Sequence, residues 1–233
     1  MLPSNRPITI VVGNYGSGKT EISLALARML RQESGGRVAL VDLDIVNPYF
    51  RSAERSAMLE AEGITVKKPT FALTTVDVPA LPPDIQSVFE PGRFDHVVVD
   101  VGGDDVGATA LGRYYPYIHP VRDQVCMLYV VNPFRPLSGT EEDIMNLFAL
   151  IASRARQTPD MLVNNANLQR QTTAGDLIQA QALLTQVGAR LGIPVGMVVG
   201  YERLRKELPG EMQDRFFSLE PLMLPEWLED DDA

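Results

Sequence analysis

The chain has 233 residues, 45% hydrophobic and 22% charged, and these proportions exclude a generally disordered protein. Its 30 acidic and 21 basic residues give a net charge of -9, which argues against nucleic acid as a partner. The single cysteine, Cys126, cannot form an internal disulfide or a cysteine cluster for a metal. We therefore expect one cytoplasmic domain over residues 1–233, with no segment long and apolar enough to span a membrane.

Short β-branched runs alternate with longer helical patterns along the chain. Such alternation is typical of a mostly parallel sheet with helices on both faces, a three-layer α/β/α arrangement. The predicted strands are residues 8–12, 38–43, 96–101, 125–131, 161–163 and 194–199, and the predicted helices are residues 19–31, 52–62, 138–154 and 174–191.

Three regions depart from this alternation. Residues 67–92 contain five prolines, which predict an irregular excursion with little regular structure. The part that follows Arg203 is expected to be helix and loop packed on the sheet. Residues 226–233 carry five acidic side chains and are expected to form a solvated acidic tail. The helix that begins near residue 138 is predicted from a capping box, with Ser138 as its N-cap and Glu141 three residues later.

The segment between the first strand and the first helix matches the pattern G-x-x-x-x-G-K-[ST] in full. Glycines let successive backbone N–H groups turn inward toward a phosphate, and the start of the helix adds a positive dipole end. The lysine is expected to bridge the β- and γ-phosphates of a nucleotide, and the threonine hydroxyl to ligate Mg²⁺. The residues of this phosphate loop are Gly13, Asn14, Tyr15, Gly16, Ser17, Gly18, Lys19 and Thr20.

Carboxylates follow two of the predicted strands. Asp100 ends the third strand, where it can hold Mg²⁺, and Gly103 can then bring a backbone N–H to the γ-phosphate. Asp42 and Asp44 end the second strand on one side of it. We expect Asp42 to support the loop or the metal, and Asp44 to orient an attacking water or, alternatively, to cap the next helix.

Several nearby residues leave two interpretations open. Arg51 stabilises transition-state charge or pairs with a partner subunit, or it is a surface residue at the start of a helix. Asp104 and Asp105 are further metal ligands or a solvated acidic turn. Residues 107–117 are a nucleotide-responsive element or an aromatic segment packed on the sheet.

Together these motifs resemble the SIMIBI class of P-loop ATPases, which includes ParA- and MinD-type ATPases, the nitrogenase iron protein and dethiobiotin synthetase. The shared positions are the phosphate loop, Asp44, Asp100 with Gly103, the strand that ends in Asn132 and Pro133, and the strand that ends in Asn164 and Asn165. Residues 14–21, 41–52 and 99–114 look more closely like a group of bacterial ATP-binding proteins. The resemblance implies a P-loop NTPase fold over residues 8–200, and that Asn164 meets the adenine.

The resemblance also has departures. ParA- and MinD-type loops carry a signature lysine that reaches the nucleotide of a partner subunit, and Asn14 occupies that position here. A nucleotide-sandwich homodimer would then need Arg51, Arg113, Lys67 or Lys68 to replace this charge. The guanine-reading pattern [NT]-K-x-D is absent at residues 164–167, which favours ATP over GTP.

The sequence therefore predicts a protein that binds ATP and Mg²⁺ and hydrolyses ATP slowly, as a switch that acts on a protein partner. The alternative is a small-molecule kinase or an ATP-dependent ligase of the dethiobiotin-synthetase type. That protein would use residues 67–92 as a lid over its acceptor, and Lys67 or Lys68 as acceptor-binding charge.

Overall fold

The computed structural model describes residues 6–44, 53–68, 83–103 and 105–220, and its strands lie close to the predicted positions. Within these ranges, the strands are β1 Ile8–Gly13, β2 Val38–Leu43, β3 Ile64–Lys67, β4 His96–Val101, β5 Val125–Val131, β6 Met161–Asn164, β7 Val195–Gly200 and β8 Phe216–Ser218. They form one sheet in the order β3-β2-β4-β1-β5-β6-β7-β8, and every neighbouring pair is parallel.

Helices connect these strands. In the described part of the chain they are α1 Lys19–Ser34, α2 Ala53–Ala61, α3 Pro83–Gln86, α4 Asp105–Arg113, α5 Tyr115–Ile118, α6 Glu141–Ala155, α7 Ala174–Leu191, α8 Glu202–Arg205 and α9 Gly210–Gln213. Short 3₁₀ turns follow α3 at Ser87–Phe89 and α5 at His119–Gln124.

The sheet is buried on both faces. On one face, Val11 of β1 packs in a cluster with Ile22 and Leu26 of α1. On the other face, Ile10 lies in a cluster with Ile144 of α6 and with side chains of α4 and α7. Strands apolar on both faces are what a parallel sheet between two helical layers requires. The predicted three-layer α/β/α fold is confirmed.

The register brings the ends of the central strands to one edge of the sheet. Asp100 of β4 pairs with Val11 of β1 and with Asp42 of β2. On the other side of β1, Gly13 pairs with Val130 of β5. The loops that follow these strands therefore lie side by side, at the edge where parallel α/β sheets bind ligands.

The two outermost strands were not predicted. Strand β3 overlaps the start of the segment that was expected to be irregular, and α3 lies near its end. Residues 69–82 of that segment lie outside the described residues. Helices α8 and α9 agree with the expectation for the C-terminal part, but β8 adds a strand there. The acidic tail, residues 226–233, also lies outside the described ranges.

The predicted N-cap of α6 is wrong by two residues. Thr140 is the N-cap, and its side chain accepts a hydrogen bond from the backbone N–H of Asp143. Both sites offer a hydroxyl three residues before an acidic side chain, so the pattern alone did not separate them. Ser138 is instead 1% exposed and lies against the phosphate loop. In the ranges described, none of the helices has the length and apolar character that crossing a membrane requires.

Candidate phosphate-binding site

The phosphate loop, residues 13–20, connects β1 to α1 in the middle of the sheet. Gly18 is the N-cap of α1 and adopts φ 90°, a left-handed conformation that favours glycine. A Cβ at Gly18 would also clash with Nδ2 of Asn165. Helix α1 therefore begins at Lys19, and its N-terminal dipole end is directed at the loop.

Three carbonyl groups of the loop accept hydrogen bonds from side chains. Lys19 Nζ donates to the carbonyl of Asn14 at 2.9 Å, and Arg135 Nε donates to the carbonyl of Gly16 at 3.1 Å. Asn165 Nδ2 donates to the carbonyl of Ser17 at 2.6 Å. Because these donors come from α1 and from the residues after β5 and β6, they fix the course of the loop from three directions.

Asp100 connects the end of β4 to the start of α1. Thr20 Oγ1 donates to Asp100 Oδ2 at 2.7 Å, and Ser23 Oγ donates to Oδ1 at 3.1 Å. The side chain is 1% exposed, and burial raises the pKa of this carboxyl to about 6, while Lys19 and the two hydroxyls act to lower it. Ser23 was not predicted as a site residue. Because it follows Lys19 by one helical turn, the two lie on the same face of α1, and this spacing could have indicated it.

Gly103 lies in close contact with the phosphate loop. A Cβ at this position would lie 2.6 Å from the backbone N and Cα of Tyr15 and 2.7 Å from Lys19 Nζ. No larger side chain fits without moving the backbone of the loop. The two predicted halves of the site, the loop after β1 and the loop after β4, are therefore in direct contact.

Asp42 and Asp44 complete a group of carboxylates at this edge. Asp42 is 1% exposed, and its Oδ1 accepts a hydrogen bond from the backbone N–H of Asp44 at 2.9 Å. The negative charge of Asp44 contributes to raising the pKa of Asp100. A Cβ at Gly102 would lie 3.3 Å from Asp44 Oδ1, so this carboxylate lies beside the loop after β4.

The donors and acceptors present fit a nucleotide with Mg²⁺. Lys19, the N-terminus of α1 and a buried Ser17 hydroxyl without a hydrogen-bond partner in the described residues can serve a phosphate chain. Thr20 and Asp100 offer the oxygen ligands that Mg²⁺ prefers. In the part of the chain that is described, no three acidic, histidine or cysteine side chains converge as a metal cage. A Mg²⁺ ion bound here would take its remaining ligands from the nucleotide and from water, as is usual for this ion.

The two asparagines at the end of β6 point to different neighbours. Asn164 is fully buried and donates to the carbonyl of Leu177 and to Gln181 Oε1 of α7, at 2.9 and 3.2 Å. The next residue, Asn165, contacts the phosphate loop. A contact between Asn164 and adenine stays a prediction, whereas Asn165 is a site residue that the sequence analysis did not assign.

Other residues named from the sequence lie elsewhere or are engaged. Arg51 and Asp104 lie outside the described residues. Lys67 Nζ lies 3.3 Å from Asp84 Oδ2, and Lys68 Nζ donates to Ser56 Oγ. Asp105 begins α4.

The aromatic segment that follows α4 is a helical element. Residues 107–117 form most of α4 and the start of α5, and Tyr114 is buried against Phe89. His119 stacks on Tyr115 at 5.0 Å between ring centroids. These contacts favour the packing interpretation of this segment.

A family model for the CobQ/CobB/MinD/ParA nucleotide binding domain (CbiA) matches residues 8–200. This range includes every residue of the site described above. No curated protein matches the chain.

Solved structures share the fold at low identity. FtsY from Thermotoga maritima is 20% identical, with a TM-score of 0.54, over 95% of this chain and 66% of that one. A nucleotide-binding protein from Archaeoglobus fulgidus, solved with ADP, is 15% identical, with a TM-score of 0.51, over 96% and 90% of the two chains. FlhF with GMPPNP and Mg²⁺ is 16% identical, with a TM-score of 0.49, over 84% of this chain and 66% of that one. The chain thus spans 66% of the FtsY and FlhF chains. The likenesses to FtsY and to the Archaeoglobus fulgidus protein show the fold alone.

Proposed function

Because the chain belongs to the CobQ/CobB/MinD/ParA nucleotide-binding domain family, the ParA/MinD-like part of the SIMIBI class, we propose that it binds ATP with Mg²⁺ and hydrolyses ATP slowly. The observation that carries this proposal is the hydrogen bond between Thr20 and Asp100 beside Lys19. It supports the proposal because Thr20 and Asp100, the proposed Mg²⁺ ligands, lie with the Lys19 amine around one loop, at the edge where such sheets bind ligands.

Each residue of the site has a role in this proposal. Lys19 and the N-terminus of α1 bind the phosphate chain and stabilise the negative charge that develops on its terminal group. Thr20 and ionised Asp100 hold Mg²⁺, which supplies positive charge to the phosphate oxygens. Asp42 orients the backbone of Asp44, whose carboxylate positions the attacking water.

The remaining assignments concern the nucleobase that is bound and the effect of hydrolysis on a partner. The missing carboxylate at residues 164–167 supports ATP over GTP, because a guanine ring would lack its usual acceptor. Release of the terminal phosphate changes the loops after Asp44 and Gly103, and through them a surface for a protein partner or a second copy of the chain. We place this activity in the cytoplasm.

The test is Lys19→Ala, with Lys206→Ala as its matched control, because Lys206 is an exposed lysine at the end of α8. Loss of a charge-assisted contact to phosphate is expected to weaken ATP binding roughly 10- to 100-fold and to abolish turnover. The measurements are calorimetry with ATP and Mg²⁺ and phosphate release. Binding and turnover in Lys19→Ala equal to those of the unsubstituted chain would contradict the proposal.

The second candidate is the acceptor-dependent kinase or ligase. The observation that favours it is the position of Lys67 at the end of β3, paired with Val41 of β2, at the same edge of the sheet as the site. Single-turnover assays separate the two functions. The hydrolase transfers the terminal phosphoryl group to water and releases phosphate without an added acceptor. The kinase transfers that group only when an acceptor molecule is supplied.

A further inference from the structure

Asn14 connects the phosphate loop to the β5–α6 loop, residues 132–140. Its Nδ2 donates to the carbonyl of Pro136 at 2.6 Å and to Ser138 Oγ at 3.0 Å. Its Oδ1 accepts from the backbone N–H of Tyr15 at 2.8 Å. A single short side chain therefore holds both its own loop and the neighbouring one.

The residue between the two acceptors is strained. Leu137 lies between Pro136 and Ser138, adopts φ 60° and is 74% exposed. A branched side chain in this left-handed region costs on the order of 1 kcal/mol or more, and it persists only when surrounding contacts impose it. Asn14 contacts both residues that flank Leu137, and so contributes to imposing this conformation.

The phosphate-binding groups of the loop are engaged by the same residue. Lys19 Nζ donates to the Asn14 carbonyl, and the Tyr15 N–H is bonded to the Asn14 side chain. Both donors border Gly103, which lies against the backbone of Tyr15 and against Lys19 Nζ. A terminal phosphate that takes these donors competes directly with Asn14.

We propose that Asn14 is a latch that reports the presence of a terminal phosphate to the β5–α6 loop. The proposal rests on the nucleotide-binding function proposed above. When a triphosphate takes the Tyr15 N–H and Lys19, Asn14 loses its partners in the phosphate loop and releases Pro136 and Ser138. Leu137 then leaves its strained conformation. A diphosphate can take Lys19 through its β-phosphate, but it lacks the terminal group and leaves the Tyr15 N–H on the Asn14 side chain, so the latch stays closed.

The output of the latch is the exposed part of the β5–α6 loop. Phe134 and Leu137 are 41% and 74% exposed, and Arg135 between them is the second tie of this loop to the phosphate loop, at Gly16. Backbone hydrogen bonds from Arg135 to Asn132 and from Ser138 to Arg135 hold the loop in its closed form. Opening changes how these apolar side chains are presented, and the backbone amides report it.

The experiment is hydrogen exchange of the full chain, free, with ADP and Mg²⁺, and with a non-hydrolysable ATP analogue and Mg²⁺. The expected result is slower exchange in residues 13–20 and faster exchange in residues 134–139 with the analogue alone. Faster exchange next to a bound ligand is the diagnostic sign, because simple shielding by the ligand slows exchange. Calorimetry in the same buffer establishes that the analogue is bound.

Ser138→Ala removes one acceptor of Asn14 from outside the phosphate loop, and Ser218→Ala, on an exposed residue of β8, is its matched control. Loss of one hydrogen bond is expected to speed exchange in residues 134–139 of the free protein roughly fivefold and to reduce the response to the analogue. Asn14→Ala is expected to remove the response entirely.

The outcomes separate the latch from the function beneath it. If the unsubstituted chain binds the analogue and exchange in residues 134–139 stays equal or slows, the latch is overturned and nucleotide binding stands. If Asn14→Ala and Ser138→Ala respond as the unsubstituted chain does, the latch is also overturned. If calorimetry shows no binding of either nucleotide, both proposals fall together.

Discussion

The phosphate loop is held differently on its two sides. On one side, which we call the β4 side, lie the carboxylates Asp42, Asp44 and Asp100 with Gly103. On the other, the β5 side, lie the Asn14 side chain, Arg135 and Asn165, which all donate to backbone carbonyls or hydroxyls. The β4 side concentrates buried negative charge, and the β5 side carries none.

This difference separates chemistry from shape. Buried carboxylates are unfavourable for folding unless a cation accompanies them, so their concentration is a sign of function. The donors on the β5 side, two neutral amides and one exposed guanidinium, stabilise one conformation of the loop at little electrostatic cost. We therefore expect substitutions of the carboxylates on the β4 side to change metal dependence and pH dependence, and those on the β5 side to change nucleotide affinity and loop conformation without changing either dependence.

The largest effect is expected for Asp100→Asn. Because burial raises the folded-state pKa of Asp100 to about 6, the folded protein holds this proton more tightly than the unfolded chain does. The contribution of Asp100 to the free energy of unfolding is therefore largest below about pH 4 and falls as the pH rises to about 6. The substituted side chain, which stays neutral, is expected to stabilise the nucleotide-free protein by up to about 3 kcal/mol at pH 7 and to remove the Mg²⁺ dependence of nucleotide binding.

Chemical unfolding between pH 4 and pH 8 measures this, with Asp95→Asn as the control. Arg37 lowers the pKa of the exposed Asp95, so that group loses its contribution as the pH falls, the opposite sign. A parallel pH profile for Asp100→Asn and the unsubstituted chain would show that Asp100 is not the buried acid described here.

Gly103→Ala is expected to have the next largest effect. Its Cβ would meet the backbone of Tyr15 at 2.6 Å, and backbone cannot move away as a side-chain tip can. The expected loss is about 2 kcal/mol in nucleotide affinity, or roughly 30-fold, measured by calorimetry. Gly210→Ala is the control, because a Cβ there meets nothing within 4 Å. Equal nucleotide affinities for the two variants would show that the loop after β4 is not part of the nucleotide site.

Asn165→Ala and Asn164→Ala distinguish two neighbouring residues. Removing Asn165 leaves the Ser17 carbonyl without its donor, and nucleotide affinity is expected to fall by about 1 kcal/mol, or roughly fivefold. Removing Asn164 breaks its bonds to α7 and is expected to lower the free energy of unfolding without a comparable loss of affinity. If Asn164→Ala weakens binding more, the adenine contact predicted for Asn164 is favoured. Calorimetry and urea unfolding of both variants decide between them.

Arg135→Ala is expected to have the smallest effect. The side chain is exposed, and it donates a hydrogen bond to the Gly16 carbonyl. Affinity is expected to fall roughly two- to fivefold, and the loss should shrink at high salt because exposed charge is screened. Nucleotide titrations at low and high salt measure it, with Arg93→Ala, on an exposed residue just before β4, as control. A loss of affinity as large as that expected for Gly103→Ala would indicate that Arg135, on the β5 side, recognises the charge of the nucleotide.

The central strands could be predicted closely from sequence because their apolar character records burial on both faces. Strands β2, β4 and β5 occupy the predicted residues. Strands β3 and β8 were not predicted because each is short and lies at an edge of the sheet. There, pairing with a single neighbouring strand decides the conformation more than local composition does.

The site shows the same division. The phosphate loop, Asp100 and Gly103 could be found because their chemistry requires particular residue types at fixed spacing. The contacts of Asn14 and Arg135 join residues about 120 positions apart, and no local pattern records them. The choice between Asn164 and Asn165 depends on which way a strand end faces, since successive side chains point to opposite faces.

The order of the strands has a consequence for synthesis on the ribosome. Strand β1 is translated before the other strands of the sheet, but its two neighbours are residues 96–101 and 125–131, and the amide that fixes the Ser17 carbonyl comes from residue 165. A nascent chain that has not reached residue 165 lacks one or more of the contacts that hold the phosphate loop. The phosphate loop is therefore translated before the strands and side chains that fix it, and it reaches the arrangement described above only once most of the sheet has been made.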